Sequence, residues 1–430
     1  MEQENRAKFG SKIGMIAAAA GSAVGLGNIW KFPYMAGQNG GGSFLLIYIL
    51  SVIMLGIPVM LAEILVGRSS QKNPVGAYGS LAKNKNWKWV GLMGILCAFL
   101  IGGFYYVVAG WSLEYVFQAI INSFEGQDAA SLDAMYTNFV SKSYTPIIWT
   151  LLVLGINAFI VIKGVEKGIE RFSKIMMPLL ILIMLVLVVR VLLLDNAMEG
   201  ILFYLTPHFD TLNSEIILSA LGQAFFSLSI GMGVMVTYGS YVGKTQNLVK
   251  STSQIVLIDT FIAIIAGFII FPAVFSLNID PTGGPKLVFV TLPCVFNQMF
   301  GGYIFGLLFF VLLFLAALTS TISIMEVCTA FLVENFKFER KKATLLLTFL
   351  TSIICVLCAL SLNENFHINI GELNFFDALD YITSKIFMPV GGILVALFVS
   401  FVMDKKRIQN ELTNHGTLKQ ALAPYILFLL

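Results

Sequence analysis

The chain has 430 residues, of which 57% are hydrophobic and only 12% are charged, and its mean hydropathy is +0.85. Soluble domains carry about 25% charged residues, so this composition excludes a chain made of ordinary soluble domains. Disorder is excluded by the 36 Phe residues, and a formal net charge of only +3 with no basic run argues against a nucleic-acid partner. We therefore expect the lipid bilayer to be the main solvent of this protein.

Apolar stretches long enough to span a membrane recur along the chain. A spanning helix needs about 20 mostly apolar residues. Ten stretches, which we call spans 1 to 10, meet this requirement at residues 12–38, 42–67, 88–122, 144–163, 168–194, 214–240, 249–276, 303–334, 341–362 and 375–403. An eleventh begins near Ala421 and stops at Leu430, too short to cross. We predict an all-α membrane protein, one domain over residues 1–430, with about 11 transmembrane helices of which the last is incomplete in this chain.

The distribution of Lys and Arg predicts the orientation. With the N-terminus in the cytoplasm, 22 of the 27 basic residues fall in cytoplasmic segments and three fall in outer segments. Cytoplasmic loops are enriched in Lys and Arg, and reversing the protein would reverse this bias. We expect a multi-pass protein of the cell inner (plasma) membrane with a cytoplasmic N-terminus and, because no cleavage site follows the first apolar stretch, no cleaved signal peptide.

Spans 1 and 6 both contain residues that interrupt a helix. Span 1 has Gly21, Gly25 and Gly27, and span 6 has Gly231 and Gly233 after two serines. Each Gly in a helix costs roughly 1 kcal/mol relative to Ala. One interpretation is a small-residue packing face, because Gly21 and Gly25 form a GxxxG pattern. The other is a pair of discontinuous helices, since an unwound backbone persists in a membrane only where it lines a cavity.

The positions of the two interruptions favour discontinuous helices. They lie five spans apart, and an odd offset gives the second half of the chain an inverted topology. Paired Gly-interrupted spans are typical of transporter binding sites. We predict a 5+5 inverted-repeat bundle with discontinuous helices 1 and 6 and repeats at about 10–194 and 214–403. Free carbonyls at the breaks suit a hard cation, and the half-helix N-termini suit a carboxylate.

The residues around the breaks resemble a known family. The run GSAVGLGNIWKFP at 21–33, followed by NGGG at 39–42, resembles the first-span signature of the neurotransmitter:sodium symporters, above all the bacterial amino-acid members. The runs GQAFFSLSIG at 222–231 and LTS at 318–320 agree with it, and Tyr105 precedes Trp111 as the family pattern requires. The resemblance implies a leucine-transporter-like fold and sodium-coupled import of an α-amino acid by alternating access. Its partners would be the amino acid, Na⁺ and the bilayer, with no obligate protein partner.

The resemblance also implies two sodium sites. The first would use the Ala23 carbonyl, Asn28, Ser227 and a residue of span 7, together with the substrate carboxylate; the second would use the carbonyls of Gly21, Val24 and Ala316 with the hydroxyls of Thr319 and Ser320. These are oxygen ligands, as a hard cation prefers. Taken alone, hydroxyls within a span usually bond back to their own helix, which is the alternative for Thr319 and Ser320.

Asp259 is an acid within the apolar span 7, which is costly and therefore marks a functional candidate. It occupies the position where many relatives have a sodium-binding Asn. Chloride-dependent relatives build an anion site nearby, and here Tyr48, Gln223 and Ser227 match it whereas Ala263 replaces the fourth member. A fixed Asp259 carboxylate could replace the chloride charge, which predicts chloride independence. The alternative is a structural acid paired with a neighbour.

Gly25 indicates the substrate class. Relatives that bind amines carry an Asp at this position, whereas Gly25 leaves room for a substrate carboxylate, so the resemblance implies an α-amino acid. The implied substrate-binding residues are Ala23, Leu26, Gly27, Ile101, Tyr105, Val108, Phe226, Ser227, Ser229, Met232, Ser320, Ser323 and Ile324. Because the side-chain walls are mainly apolar, we expect a hydrophobic or aromatic amino acid.

The resemblance also implies two gates, formed by charged residues near the span ends. Lys31 would face Asp380 as the outer gate, with Asp377 as an alternative partner, and the family normally has Arg in place of Lys31. At the inner end Arg6 would pair with Glu334 close to Tyr241, although a solvated face is the alternative for Arg6. Phe226 would lie under the outer gate as a lid. In span 2, Glu63 is expected to stabilise the unwound segments by hydrogen bonding.

Two other functions stay open at this point. A proton- or potassium-coupled transporter on the same fold would use Asp259 as its titrating group, and a non-transporting membrane receptor or channel is the alternative of another class. An enzyme is not expected, because His208, His367 and His415 fall in separate loops. The sequence also contains no HExxH, nucleophile elbow or phosphate-binding glycine loop.

Overall fold

The structure is a computed structural model that describes residues 7–277, 280–282, 284, 286–363, 365–366 and 368–418, without the side chain of Thr211. Two predictions lie outside the described residues. They are the role of Arg6 in the inner gate and the partial eleventh span at 421–430.

Eight helices of the described residues are long and apolar enough to cross a membrane. They are span 2 (Gly42–Ser70), span 3 (Lys85–Ile120), span 4 (Thr145–Ile162), span 5 (Val165–Val191), span 7 (Leu248–Ser276), span 8 (Gly302–Phe336), span 9 (Arg340–Ser361) and span 10 (Phe375–Val402). Span 1 is a pair, Lys12–Ala23 and Gly27–Gln38, bent by 45° at the break. Span 6 is also a pair, Ser214–Ser227 and Val234–Gly239. The all-α fold with discontinuous helices 1 and 6 is confirmed.

Shorter elements connect the spans. The helices are Pro74–Leu81, Ala129–Val140, Ala197–Leu205, Leu287–Gln298 and Lys405–Thr413, with a 3₁₀ turn at Phe209–Thr211. Strands Asn369–Ile370 and Leu373–Asn374 form a small antiparallel hairpin. Hydropathy did not predict these elements, because none of them is long enough to give a spanning pattern.

The spans pack in two groups. Spans 3 and 8 lie side by side, and spans 4 and 9 pack against them and against each other. In the second group, span 2 packs against the second half of span 6 and against span 7, which in turn packs on span 1. Span 5 contacts spans 1, 7 and 8, and span 10 contacts spans 2, 3 and 6, so both of these helices touch both groups.

Two faces of the bundle lie at opposite ends of span 10. The basic face holds the end of span 2 at Arg68, the connection between spans 6 and 7 at Lys244, and the helix Lys405–Thr413, which meet in direct contact. The opposite face holds the beginning of span 10 at Asp380, and the chain of span 10 runs from there to the basic face.

Local chemistry explains the break in span 6. Ser229, Gly231 and Gly233 have φ values of 53°, 84° and 76°. Left-handed backbone of this kind ends a right-handed helix and favours glycine. The freed N–H of Gly231 donates to the Glu63 carboxylate at 2.6 Å, and Glu63 is fully buried. The unwound segment is therefore stabilised by an acid of span 2, as the sequence predicts for Glu63.

Span 2 approaches the second half of span 6 so closely that only glycine fits. A methyl group on Gly67 would overlap the Val236 carbonyl and the Ser240 amide. Gly239 lies equally close to the Ile64 backbone from the other side. Reciprocal glycines thus let the two helices pack backbone against backbone, which fixes span 2 to span 6 next to the break.

Gly67→Ala is expected to lower the apparent melting temperature of the purified protein, because overpacking costs about 1–3 kcal/mol. The matched control is Gly155→Ala in span 4, where nothing lies within 4 Å of the added methyl group. This control should keep or slightly raise the melting temperature, since Ala favours a helix over Gly by about 1 kcal/mol. Equal melting temperatures for the two variants would contradict the close packing.

Candidate functional site

The two helix breaks face each other across a cavity. The Ser229 hydroxyl of span 6 donates to the Ser22 carbonyl of span 1 at 3.0 Å, which joins the breaks directly. The cavity is small, with a volume of about 10 Å³, and is lined by Ser22, Ala23, Gly27, Ile101, Tyr105, Phe226, Ser229, Met232, Ser320, Ile324 and Met388. Polar groups lie at the breaks and apolar side chains on the remaining walls, which is the usual composition of a small-molecule site.

Most of the predicted substrate-binding residues line this cavity, and four of them do not. The Leu26 N–H donates to the Tyr105 hydroxyl at 2.7 Å, and the Ser323 hydroxyl accepts a hydrogen bond from the Ser22 hydroxyl at 2.7 Å. Val108 is buried but does not line the cavity, and Ser227 belongs to the polar cluster described below. Ser22 and Met388 line the cavity and were not predicted. Ser22 lies inside the first-span motif, whereas Met388 has no signal because it is one apolar residue in an apolar helix.

A polar cluster joins spans 1, 6 and 7 beside the cavity. The Asn28 amide donates to Asp259 Oδ1 at 2.8 Å and to Ser227 Oγ at 3.1 Å, and the Ser227 hydroxyl donates to Asp259 Oδ2 at 2.7 Å. All three side chains are fully buried. Asn28 Oδ1 accepts the N–H of Gly25 at 3.2 Å, which ties the cluster to the break in span 1. The structure therefore brings together Asn28, Ser227 and Asp259 of the predicted first sodium site, and Ala23, its other member, lines the cavity.

The charge of this cluster favours a bound cation. The Asp259 carboxylate is fully buried, and among the described residues its partners are the neutral Asn28 and Ser227 rather than a Lys or Arg. A buried charge is costly unless it is paired. The Asp259 carboxylate, the Ser227 hydroxyl and the Asn28 amide oxygen are ligands of the kind that Na⁺ prefers, and in this structure the Asn28 NH2 group faces the other two side chains. Among the residues that the structure describes, no group of His, Cys, Asp and Glu could hold a metal ion.

The side chains that match the anion site of chloride-dependent relatives are turned to other partners. The Tyr48 hydroxyl donates to Ser227 Oγ at 3.2 Å, and the Gln223 amide donates to the Gly27 carbonyl at 2.7 Å. The Ser227 hydroxyl donates to Asp259, and Ala263 contributes no polar group. These side chains lie beside a fixed carboxylate, and a second anion there would be repelled.

The residues predicted for the second sodium site also lie together. The Thr319 hydroxyl is 2.9 Å from the Ala316 carbonyl and 3.3 Å from the Val24 carbonyl. The Ser320 hydroxyl lies 3.4 Å from the same Val24 oxygen, and Gly21 packs against Thr319. Carbonyls at the break of span 1 thus converge with hydroxyls of span 8, which joins the two packing groups at one point.

A partly buried ion pair lies between the cavity and the opposite face. Lys31 Nζ lies 2.6 and 2.9 Å from the two oxygens of Asp380, and the Ser384 hydroxyl also donates to Asp380, at 2.7 Å. The same ammonium is 4.3 Å from the centre of the Phe226 ring, which lies between it and the cavity. Asp377 instead bonds Asn374, at the N-terminus of its own helix. In this structure Lys31 therefore pairs with Asp380, and the alternative partner Asp377 is not used.

Toward the basic face, Glu334 and Tyr241 each have contacts among the described residues, whereas the predicted partner Arg6 lies outside them. Glu334 accepts two hydrogen bonds from Asn73, both at 2.8 Å, and it lines one groove together with Tyr241. The Tyr241 hydroxyl donates to Glu326 at 2.7 Å, and Arg340 forms an ion pair with Glu326. The pair of Glu326 and Arg340 was not predicted, although an acid inside span 8 is the kind of signal that could have revealed it.

Comparison with known proteins identifies the family. A profile of the sodium:neurotransmitter symporter family matches residues 6–132 and 134–428. The chain belongs to this family. A sodium-dependent transporter of Bacillus subtilis (strain 168), YhdH, is 40% identical over 414 residues, which is 96% of this chain and 92% of the relative. A sodium-dependent transporter of Haemophilus influenzae is 36% identical over 439 residues, covering 99% of this chain and 96% of the relative.

A solved structure gives the same result for the fold. The structure of MhsT in complex with L-phenylalanine is 40% identical in sequence, has a TM-score of 0.93, and covers 99% of this chain and 96% of its own. The protein is thus a sodium-dependent symporter with a leucine-transporter-like 5+5 bundle, and it is a multi-pass membrane protein rather than an enzyme.

Asn28→Ala and Asp259→Ala are each expected to abolish sodium-dependent uptake into proteoliposomes while the protein still folds. Even outer-shell changes at metal sites typically cost about 10- to 100-fold, so loss of a direct ligand should exceed that range. The measurement is uptake of a substrate that the unmodified chain accepts.

The control for these two variants is Asn157→Ala, which removes another fully buried amide, one that bonds Thr321 in span 8. It should retain most of the uptake. Unmodified uptake in Asp259→Ala, or equal loss in all three variants, would contradict a sodium role for the cluster.

Proposed function

We propose that the chain imports a hydrophobic or aromatic α-amino acid together with Na⁺ by alternating access, without chloride. The observation that supports this most directly is the cavity between the two breaks, because it joins a cation-seeking polar cluster to apolar walls. We further propose that the protein lies in the plasma membrane with its basic face in the cytoplasm. The excess of Lys and Arg at that face supports this orientation.

The substrate carboxylate would lie at the break of span 1. A methyl group on Gly25 would overlap the hydroxyls of Tyr105 and Ser320, so glycine keeps this position open. The Leu26 N–H and the Tyr105 hydroxyl already meet here at 2.7 Å and would both bond the carboxylate. The second carboxylate oxygen would complete the first sodium site, which couples the amino acid to the ion.

The side chain of the substrate would occupy the apolar part of the cavity. Its walls come from four spans, with Ile101, Phe226, Met232, Ile324 and Met388 as the apolar members. Two methionines give an adaptable surface that can fit more than one large side chain. The structural relative MhsT binds L-phenylalanine, and an aromatic or large aliphatic side chain suits these walls as well.

Two sodium ions would order the parts that must close together. The first, at Asn28, Ser227 and Asp259, would join spans 1, 6 and 7, and the second, at Val24, Ala316 and Thr319, would join span 1 to span 8. Closing of the pair between Lys31 and Asp380 would then seal the opposite face. Movement of each positive charge down a negative-inside potential contributes about 2.3 kcal/mol per 100 mV to uptake.

A binding screen tests the substrate class. Purified protein is scanned with all twenty amino acids by thermal shift or scintillation proximity, with Na⁺ and with K⁺ in its place. We expect saturable binding of large apolar or aromatic amino acids in Na⁺ only, and weakening of at least about tenfold in Tyr105→Phe through loss of a charge-assisted hydrogen bond. Binding of amines that lack a carboxylate, or equal binding without Na⁺, would overturn the proposal.

A second experiment separates the coupling ions. Replacing external chloride by gluconate should leave uptake unchanged within about twofold, because the Asp259 charge is fixed in the site. Uptake driven by a pH gradient in sodium-free buffer would instead support proton coupling. Loss of uptake without chloride would show that Asp259 does not replace the anion.

A further inference from the structure

Three charged side chains form a cluster at the basic face, away from the cavity. Arg68 Nε donates to Glu411 Oε2 at 2.6 Å, and Lys244 Nζ donates to Glu411 Oε1 at 2.6 Å. Both oxygens of the Glu411 carboxylate are therefore used by cations from two different segments. We call Arg68, Lys244 and Glu411 the clasp.

The clasp also bonds the backbone of the segments that it joins. Arg68 Nη1 donates to the Gln246 carbonyl at 2.6 Å, and Arg68 Nη2 donates to the Glu411 carbonyl. Lys244 Nζ donates to the Arg68 carbonyl at 2.8 Å. The end of span 2, the connection between spans 6 and 7, and the helix Lys405–Thr413 are thus held together by side-chain and main-chain bonds.

Burial separates the pair of Arg68 and Glu411 from an ordinary surface ion pair, whereas Lys244, the third member of the clasp, is half-exposed. The Arg68 side chain is 0% exposed and that of Glu411 is 8% exposed. On the same helix Ile408 and Leu412 are buried, so the helix packs against the bundle through an apolar stripe with Glu411 beside it. A buried carboxylate with two cationic partners is costly to expose, and the helix is therefore expected to stay in place.

The position of this helix in the chain makes the clasp mechanically important. It begins at Lys405, directly after span 10 ends at Val402, and the linking Met403 is buried. Span 10 carries Asp380 near its other end, where it pairs with Lys31 of span 1. Ion pairs thus tie span 10 to span 1 at one end and, through the helix that follows it, to span 2 and the connection between spans 6 and 7 at the other. Span 10 also packs on span 3, and its Asp380 end packs on spans 3 and 9.

Span 10 contains two irregular turns between these fastenings. Residues Ile382–Phe387 and Phe398–Val402 form π-helical turns, which weaken the regular hydrogen-bond ladder. They lie next to the Asp380 end and next to the clasp end. A helix held at its ends and weakened beside each end can bend there when spans 1, 2 and 6 move relative to span 3.

We infer that Glu411 is a positioning residue for transport: it keeps the end of span 10 on span 2 and the connection between spans 6 and 7 while the Lys31–Asp380 gate opens and closes. The inference rests on the proposed alternating-access function. Without the clasp, the end of span 10 would separate from span 2 and from the connection between spans 6 and 7, and the gate would no longer follow the rearrangement at the basic face. Substrate and sodium sites would stay intact, so the defect would fall on turnover rather than on binding.

The test uses Glu411→Gln in the full chain, which leaves Arg68 and Lys244 facing each other without the carboxylate. The matched control is Glu339→Gln, which removes the partner of Lys342 in an ion pair of 3.6 Å with both side chains 74% exposed. Spin labels on Lys72→Cys and Gln409→Cys report the distance between the end of span 2 and the helix Lys405–Thr413. Distances are recorded without Na⁺, with Na⁺, and with Na⁺ plus the amino acid found in the screen.

In the unmodified protein we expect one narrow distance in all three conditions. In Glu411→Gln we expect a broadened distance and a maximal uptake rate lowered by about tenfold, within the range of typical coupling between sites. Affinities for Na⁺ and amino acid should change by less than about twofold, which separates turnover from binding. A narrow distance or an unmodified uptake rate in Glu411→Gln would overturn the inference.

A second variant addresses the possibility that Glu411→Gln merely destabilises the protein. The Asn414 amide donates to the Thr245 carbonyl at 3.0 Å, so these two residues are adjacent across the same junction. Thr245→Cys with Asn414→Cys, joined by a short thiol cross-linker in the Glu411→Gln background, should restore the uptake rate. Binding without restored uptake would show that the junction must open during transport, which contradicts the inference. If the unmodified chain binds no amino acid, the proposed function fails instead.

Discussion

Backbone N–H and C=O groups inside a bilayer have no water to bond, so every break in a spanning helix must supply its own partners. The N–H of Gly231 donates to the Glu63 carboxylate, and the N–H of Leu26 donates to the Tyr105 hydroxyl. The carbonyl of Gly27 accepts a hydrogen bond from the Gln223 amide. Each partner comes from a different span. The requirement to satisfy a broken backbone therefore dictates which helices meet at the middle of the bundle, and the cavity forms where these partners converge.

The same requirement explains why the Asp259 carboxylate is buried without a Lys or Arg partner among the residues that the structure describes. Asn28 and Ser227 already donate to Asp259, which lowers the cost of burying its charge but does not neutralise it. Asn28 also accepts a hydrogen bond from the Gly25 N–H, so the polar cluster and the break in span 1 form one hydrogen-bonded unit. A cation bound here would be coupled to the shape of the break, and through it to whatever occupies the cavity. Ion binding and substrate binding would then stabilise the same arrangement of the backbone.

Sequence reasoning succeeded where lipid makes a polar residue costly and failed where an apolar residue or a loop charge carries the contact. Asp259, Lys31 and Glu63 could be singled out because charges within apolar spans are rare. Met388 could not, since hydropathy does not tell which face of a spanning helix meets the cavity. Glu411 was also invisible, because an acid among Lys and Arg in a connecting segment has the pattern of a solvated helix. Its burial depends on how span 2 ends, which local sequence does not encode.

The two ionic contacts at the ends of span 10 differ in the way that their roles require. Lys31 is a point charge on a flexible stem, and its partner Asp380 is 30% exposed, so water can replace the ammonium at low cost when the pair separates. Arg68 has a rigid fork that bonds a carboxylate and two carbonyls at once and is shielded from solvent. In the proposed mechanism, the contact that breaks in every cycle uses a Lys that is easily rehydrated. The contact that holds is centred on the buried Arg68, with the half-exposed Lys244 as a second partner of Glu411.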